Sequence, residues 1–135
     1  LDTAWAEAAL DADLLLVGEG RVQLQSGERL GAVDDRTLHS LYSGALAVVL
    51  PSHLEGFGFT PREAAAHSVP SIVSDLPTLQ LPGTLRVPAG DVGALAAALK
   101  ALPSERDRLV AELGPPRTWS AAAADLVPVL QGATA

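Results

Sequence analysis

The sequence has no cysteine and no methionine, only one lysine, and three histidines. The absence of cysteine excludes disulfides and thiolate metal sites, and three histidines dispersed along the chain do not predict a zinc site. Sixteen acidic residues against nine basic ones give a net charge of −7. This balance argues against general nucleic-acid binding, which requires clustered Lys and Arg to displace counterions from phosphates. We therefore expect neither a metal cofactor nor a nucleic-acid partner.

Long apolar runs are also missing. No stretch is long enough to span a bilayer, and the N-terminus lacks the features of a signal peptide, so a cytoplasmic location is expected. The chain begins at Leu1 instead of a methionine. For that reason we expect it to be a fragment of a longer protein.

The residues that are present suit one α/β domain. The chain has 135 residues, 48% of them hydrophobic, which is enough to build a single core. Strand-like and helix-like segments alternate, and this predicts an open, doubly wound, parallel (Rossmann-like) sheet. We expect strands in DLLLVG, ERLGAV, LAVVLPS, PSIVS and LRVPAGD, and helices over 3–10, 35–42, 61–67, from Asp91 to Pro103, from Ser104 to Leu113 and from near Ser120.

Two of these segments carry more specific expectations. The run DLLLVG has no polar alternation, which favours a strand buried on both faces of the sheet. Pro103 is expected to end the helix that Asp91 caps, because proline has no N–H and its ring clashes with the preceding turn.

The stretch SHLEGFGFTPREAAAH, residues 52–67, has the layout of a ligand-binding unit of strand, loop and helix. Ligands of doubly wound sheets bind beyond the carboxyl ends of the strands, where loops lead into helices. Gly56 and Gly58 are expected to let the loop turn tightly and bring its N–H groups close to a ligand. Pro61 suits the first helical position. The free amides and the helix dipole then favour an anion, such as a diphosphate, in front of residues 59–62.

The two glutamates of this stretch admit different interpretations. Thr60 and Glu63 fit a capping box, in which Thr60 caps the helix and Glu63 bonds back to the Thr60 amide. Spacing alone therefore leaves Glu63 open between a structural and a binding role. Glu55 precedes two glycines in an apolar loop and has no evident cap to make, which favours a functional carboxylate. Phe57 and Phe59 are expected to anchor the loop in the core.

The segment VVLPSHLEGFGFTPREAAAHSVPSIVS resembles the donor-binding segment of retaining GT-B glycosyltransferases of the family-4 type (glycosyl transferases group 1). Glu55 and Glu63 match the two glutamates of the Glu-x7-Glu motif of that family. The resemblance extends upstream to DADLLLVGEG and VDDRTLHSLYSGALAVVLPS, and downstream through RVPAGDVGALAAAL to Thr118-Trp119-Ser120. It covers nearly the whole chain.

The resemblance implies that residues 1–135 are the C-terminal, nucleotide-sugar-binding domain of a two-domain enzyme. Its partners would be a nucleoside-diphosphate sugar and the N-terminal acceptor-binding domain of the same full-length chain, and the reaction would need no metal. By the family's pattern, Glu55 lies beside the transferred sugar and favours positive charge at its anomeric carbon, and Glu63 holds the ribose hydroxyls. The backbone between them would reach the sugar and the diphosphate; its residues are Gly56, Phe57, Gly58, Phe59 and Thr60.

The chain also departs from the family pattern. The family's first strand, with the Arg and Lys that grip the phosphates, does not occur before Leu1, so we expect weak donor binding and no sugar transfer by these residues alone. The segment GEGRVQLQSGERLG is shorter than usual, and SDLPTLQLPG replaces a Gly-Gly-x-x-Glu loop. Ser68 stands where glycine is usual at a helix C-terminus; in a left-handed conformation serine costs about 1 kcal/mol there.

Two other functions stay open. One is a non-catalytic nucleotide-sugar-binding or interaction module of the same fold. The other is a sugar-nucleotide epimerase-like protein, in which a similar fold carries different chemistry. The spacing of Glu55 and Glu63 favours the glycosyltransferase over the epimerase, but it does not separate the enzyme from the binding module.

Overall fold

A computed structural model describes residues 1–20, 24–115, 118, 120–121, 123–124 and 127–128. Trp119 and much of the helix predicted from near Ser120 lie outside these residues. No helix within the described ranges is both long and apolar enough to cross a membrane. The elements are the helices α1 (Asp2–Ala8), α2 (Asp35–Gly44), α3 (Phe59–Ala66) and α4 (Val92–Leu113), the strands β1 (Leu15–Val17), β2 (Glu28–Gly31), β3 (Val48–Leu50), β4 (Ser71–Ser74) and β5 (Thr84–Val87), and a 3₁₀ turn (Pro77–Leu79) between β4 and β5.

Every strand pair among the described residues is parallel, which confirms the predicted α/β class. The strand β1 pairs with β2, and β3, β4 and β5 form a three-stranded ladder in that order. Ser71 of β4 lies opposite Val48 of β3 on one side and Thr84 of β5 on the other. The carboxyl ends of these three strands therefore lie at one edge of the ladder.

Helices cover both faces of the three-stranded ladder, as a doubly wound sheet requires. Successive residues of a strand point to opposite faces. In β3, Val48 packs against the buried cluster of Tyr42, Ala64 and Val69, to which α2 and α3 contribute. The next residue, Val49, packs against the larger cluster on the other face, which α1 and α4 build with β4 and β5.

The expectation that DLLLVG is buried on both faces is wrong. Leu14, just before β1, is buried, but Leu15 and Val17 are 41% and 38% exposed. Within the described residues β1 hydrogen-bonds only with β2, and the two hydrophobic clusters are built by other elements. A strand with one paired neighbour and no helix packed closely on it keeps its side chains partly in water.

The helix α4 confirms one prediction and contradicts another. Asp91 caps it, since the Ala94 N–H donates to the Asp91 carboxylate over 2.8 Å. However, the helix continues through Pro103 to Leu113 instead of ending. Leu102 and Leu109, on either side of the proline, are 2% and 0% exposed in the core. Continuation of the helix buries Leu109, and a gain of about 1.5–3 kcal/mol for a buried leucine offsets most of the cost of about 3 kcal/mol for an interior proline.

The C-terminus of α3 has the left-handed residue that the family resemblance predicts. Ser68 has a φ of 58°. The Ser68 N–H donates to the carbonyl of Ala65 and the Val69 N–H to that of Ala64, both over 2.9 Å. These two bonds form a Schellman motif, which satisfies carbonyls that the helix end would otherwise leave unpaired.

Candidate functional site

The loop of residues 51–58 leaves the carboxyl end of β3 and is held on both sides by neighbouring loops. On one side, the Thr78 hydroxyl in the 3₁₀ turn donates to the backbone carbonyl of Glu55 over 3.0 Å. On the other side, His53 lies so close to Gly90 that a Cβ there would be 3.1 Å from the imidazole Cε1. The loops after β3, β4 and β5 therefore meet at the edge of the sheet where ligands bind in doubly wound folds.

The two glycines of the loop differ in what they do. Gly58 has a φ of 74° and is the N-cap of α3, and a Cβ on it would lie 2.5 Å from the Leu79 side chain. Gly56 has no positive φ, and a Cβ on it would meet nothing within 4 Å. The loop bends at Gly56 as well as turning at Gly58, but only at Gly58 do the backbone conformation and the packing require glycine.

The predicted capping box is wrong. The helix begins at Phe59, so Thr60 is its second residue and Pro61 its third, and the N-cap residue Gly58 has no side chain with which to cap the helix. Because Gly58 is left-handed, the chain enters the helix before Thr60, and a residue that is already helical cannot be the N-cap. Pro61 still costs no hydrogen bond, because the third helical residue has no acceptor within the helix.

The Glu55 side chain is half-buried and bonds to its own loop. One carboxylate oxygen, Oε1, accepts from the N–H groups of Gly56 and Gly58 over 3.2 and 3.3 Å. The expectation that Glu55 has no local cap to make is therefore wrong. These two bonds orient the carboxylate at the start of α3 while leaving Oε2 able to accept from a ligand.

The Glu63 carboxylate lies one turn into α3, about 6 Å along the axis from Phe59 by the helical rise. It is exposed, and it accepts a hydrogen bond from the Tyr42 hydroxyl of α2 over 2.8 Å instead of bonding back to Thr60. Burial, followed by the hydrogen bond and the charge of Glu63, raises the pKa of Tyr42 far above its ordinary value. The phenol therefore stays protonated and keeps donating to Glu63 at any physiological pH.

Two histidines, His67 and His39, pack next to the contact between Tyr42 and Glu63. The His67 ring stacks on the Tyr42 ring, with centroids 5.4 Å apart and planes 16° from parallel. His67 Nε2 lies 2.9 Å from His39 Nδ1, and His67 Nδ1 lies 3.2 Å from the Ser43 hydroxyl. The imidazole is thus held on both of its nitrogens by α2, and Tyr42 lies against a fixed ring.

The expectation that Phe57 and Phe59 anchor the loop in the core is wrong. They are 52% and 67% exposed, and they pack on each other with ring centroids 4.8 Å apart. The Arg62 guanidinium lies 4.4 Å from the Phe57 ring centroid, and its Nε donates to the Phe57 carbonyl. Leu79, which is fully buried, fills the space beneath Gly58, so the phenyl rings stay at the surface.

The start of α3 can accept an anion through few groups. Of the first three helical residues, only Phe59 and Thr60 have an N–H, because Pro61 has none. The helix dipole and the nearby Arg62 add positive potential at this end. Among the described residues, no three His, Cys, Asp or Glu side chains are grouped so that they could hold a metal ion. The arrangement suits a ligand with both anionic and hydroxyl groups.

Sequence reasoning did not identify Tyr42 and Thr78 as parts of this region. The spacing of Leu38, Leu41 and Tyr42 places Tyr42 on the apolar face of α2, which is the pattern of a core residue. It is buried, but its hydroxyl reaches Glu63, 21 residues further along the chain. Thr78 reaches Glu55 across 23 residues. No short-range pattern signals contacts of this kind.

Comparison with known proteins matches the chain to a glycosyltransferase family, to a mannosyltransferase and to the fold of a sucrose-phosphate synthase. Residues 2–105 match the family described as Glycosyl transferases group 1. A stretch of 48 residues, 36% of the chain, is 52% identical to the O-antigen chain mannosyltransferase RfbU of Salmonella typhimurium, and covers 14% of that protein. The fold is similar to that of sucrose-phosphate synthase from Thermosynechococcus elongatus, with a TM-score of 0.72 and 23% identity. That match covers 98% of the chain but 42% of the synthase, so the chain spans less than half the length of either relative.

Proposed function

The chain belongs to the glycosyl transferases group 1 family, and from this premise we propose that it is the donor-binding part of a retaining glycosyltransferase. Its donor is a nucleoside-diphosphate sugar. The observation that carries the proposal is the pair of oriented carboxylates at the carboxyl end of β3: Glu55 bonded to the start of α3 and Glu63 bonded to Tyr42. Both belong to the Glu-x7-Glu pattern.

The proposal gives the two glutamates different roles, following the Glu-x7-Glu pattern of the family. Glu55 is the catalytic carboxylate, which accepts from hydroxyls of the transferred sugar and stabilises positive charge as the anomeric bond breaks. Glu63 accepts from both ribose hydroxyls, since an ionised carboxylate can take two hydrogen bonds from a vicinal diol. The backbone of residues 56–60 lies between sugar and diphosphate, where Phe59 and Thr60 supply free amides.

The departing diphosphate is stabilised by protein groups, so the reaction needs no bound metal. The positive end of the α3 dipole and the Arg62 guanidinium favour the negative charge that develops on the leaving group. The remaining donor contacts and the acceptor pocket come from an N-terminal domain of the full-length chain, in line with the greater length of both relatives.

The mannosyltransferase relative suggests which donor to test first. Nucleoside-diphosphate mannose is the primary candidate because the identity to that protein is 52% over the matched stretch. Binding and turnover of mannose and glucose donors carrying guanosine, uridine or adenosine diphosphate are measured with the full-length protein. A donor that binds and is turned over supports the enzyme, whereas a donor that binds without turnover favours the non-catalytic module.

Three variants separate the roles. Glu55→Ala is expected to abolish turnover, and Glu63→Ala to weaken donor binding. The control Glu7→Ala removes an exposed carboxylate from α1, far along the chain from the loop. It should leave turnover and donor binding unchanged. If a donor binds and neither Glu55→Ala nor Glu63→Ala changes its affinity or its turnover, the assignment of the two glutamates to the donor site is refuted.

A further inference from the structure

The contact between Tyr42 and Glu63 joins a buried group to an exposed one. Tyr42 lies in the last turn of α2 and is 9% exposed, whereas Glu63 is exposed on α3. The phenol donates to Oε2 of the carboxylate over 2.8 Å. A surface glutamate has several rotatable bonds, and a ligand that it binds must first restrict them. A bond that already restricts them lowers that cost.

The chemistry of the contact leaves the carboxylate free to bind. An ionised carboxylate has about four lone-pair sites, and the phenol uses one of them on Oε2. Both oxygens can therefore still accept from a diol. Because the pKa of Tyr42 is raised by burial and by Glu63, the phenol remains a donor and does not compete for the hydroxyl protons of a ligand.

The tyrosine is itself held in place. Its ring lies in the buried cluster with Ala64 and Val69 and against the His67 imidazole. Two nitrogens of that imidazole are in turn within hydrogen-bonding distance of α2, at His39 and Ser43. The hydroxyl oxygen consequently has a fixed position, from which it donates to the Glu63 carboxylate.

We propose that Tyr42 is a positioning residue of the donor site, whose hydroxyl holds the Glu63 carboxylate in the orientation that receives the ribose hydroxyls. This inference rests on the proposed function, in which Glu63 binds the ribose. Tyr42 acts through Glu63 and does not touch the ligand. Its loss therefore weakens binding only of ligands that use Glu63.

The test uses the full-length protein and nucleoside diphosphates as probes. Guanosine, uridine and adenosine diphosphates are titrated by calorimetry, and the tightest is compared with its 2′-deoxy form. Tyr42→Phe keeps the ring and its packing but removes the hydroxyl. It should raise the Kd of the ribonucleotide about 3- to 10-fold, the effect of one net hydrogen bond. For the 2′-deoxynucleotide the ratio should fall towards one, and in a Glu63→Ala background the substitution should have no further effect.

A matched control tests whether the contact only ties α2 to α3. Leu38→Ala removes a side chain that packs against the same cluster from the same helix but does not reach Glu63. It should lower the free energy of unfolding without changing the Kd. If Leu38→Ala weakens binding as much as Tyr42→Phe, or if Tyr42→Phe weakens both nucleotides equally, the hydroxyl does not position Glu63.

The experiment distinguishes failure of the proposed donor-binding function from failure of the inference about Tyr42. If no diphosphate binds, the proposed function fails. If one binds and Glu63→Ala leaves its Kd unchanged, the ribose role of Glu63 fails and the inference fails with it. If Glu63→Ala weakens binding and Tyr42→Phe does not, only the inference about Tyr42 is overturned.

Discussion

Alanine at Gly58 should destabilise the chain strongly, whereas alanine at Gly56, two residues earlier in the same loop, should not. At Gly58 the backbone has a φ of 74°, where an L-residue costs about 1–2 kcal/mol. The new Cβ would also lie 2.5 Å from Cδ2 of Leu79, which is 0% exposed. Relief of such overpacking typically costs a further 1–3 kcal/mol or so. The expected loss in free energy of unfolding is therefore about 2–5 kcal/mol.

At Gly56 neither cause operates. Its φ is not positive and a Cβ would meet no atom within 4 Å, so the change should stay within about 0.5 kcal/mol. Urea unfolding of the two variants, followed by far-UV circular dichroism, measures both values with the slope m as a check on two-state behaviour. Equal losses at the two glycines, or a loss below about 0.5 kcal/mol at Gly58, would refute the reasoning.

A second substitution separates the two contributions at Gly58. Leu79→Ala removes the side chain that the new Cβ would meet, at its own cost of about 2–5 kcal/mol for a buried leucine. In the double variant the steric part of the Gly58→Ala effect should disappear, giving a favourable coupling of about 1–3 kcal/mol. The backbone part should remain. A coupling near zero would show that the clash is relieved by movement of the loop instead.

Three further predictions concern positions around the site. Thr78→Val removes the hydroxyl that bonds the Glu55 carbonyl and should lower the free energy of unfolding by about 1 kcal/mol, while Thr78→Ser should preserve it; equal losses for both would contradict a role for the hydroxyl. Ser68→Gly relieves a left-handed serine and should stabilise by up to about 1 kcal/mol, whereas the control Ala66→Gly, at the last residue of α3, should destabilise by up to about 1 kcal/mol; thermal unfolding that ranks the two variants in the opposite order would be inconsistent with the C-terminal motif. Pro103→Ala should stabilise by about 2 kcal/mol, the interior-helix penalty of about 3 kcal/mol less about 1 kcal/mol of unfolded-chain entropy; an unchanged midpoint in urea would mean that α4 does not depend on a continuous helix at this point.

The order of strands and helices was predictable because the signals for it are local. Apolar runs such as LAVVLPS and PSIVS are rich in β-branched residues, and these segments contain β3 and β4. The cap Asp91 before α4 was also correct, and it depends on backbone groups within a few residues, so the sequence around it is sufficient. The left-handed Ser68 after α3 was expected from the family resemblance, because serine by itself does not signal that conformation.

Local signals failed where tertiary packing outweighed them. The capping-box pattern of Thr60 and Glu63 was overridden by Gly58, whose left-handed backbone fits over Leu79 and starts α3 earlier. The stop signal at Pro103 was overridden by burial of the leucines on either side. In both cases a long-range contact opposes the local preference, and neither contact can be read from spacing.

The sequence by itself determined the α/β class, the position of the loop after β3, and the pair Glu55 and Glu63 as the candidate site. Only the tertiary structure decided how those two carboxylates are held. The Thr78 hydroxyl bonds the backbone carbonyl of Glu55 from 23 residues away and so fixes the loop that carries the Glu55 carboxylate. The Tyr42 hydroxyl bonds the Glu63 carboxylate itself from 21 residues away. Such bonds form only after α2 docks on α3 and the 3₁₀ turn docks on the loop. The geometry of these hydrogen bonds therefore depends on how the helices and loops pack together, and it cannot be read from residues that are neighbours in the sequence.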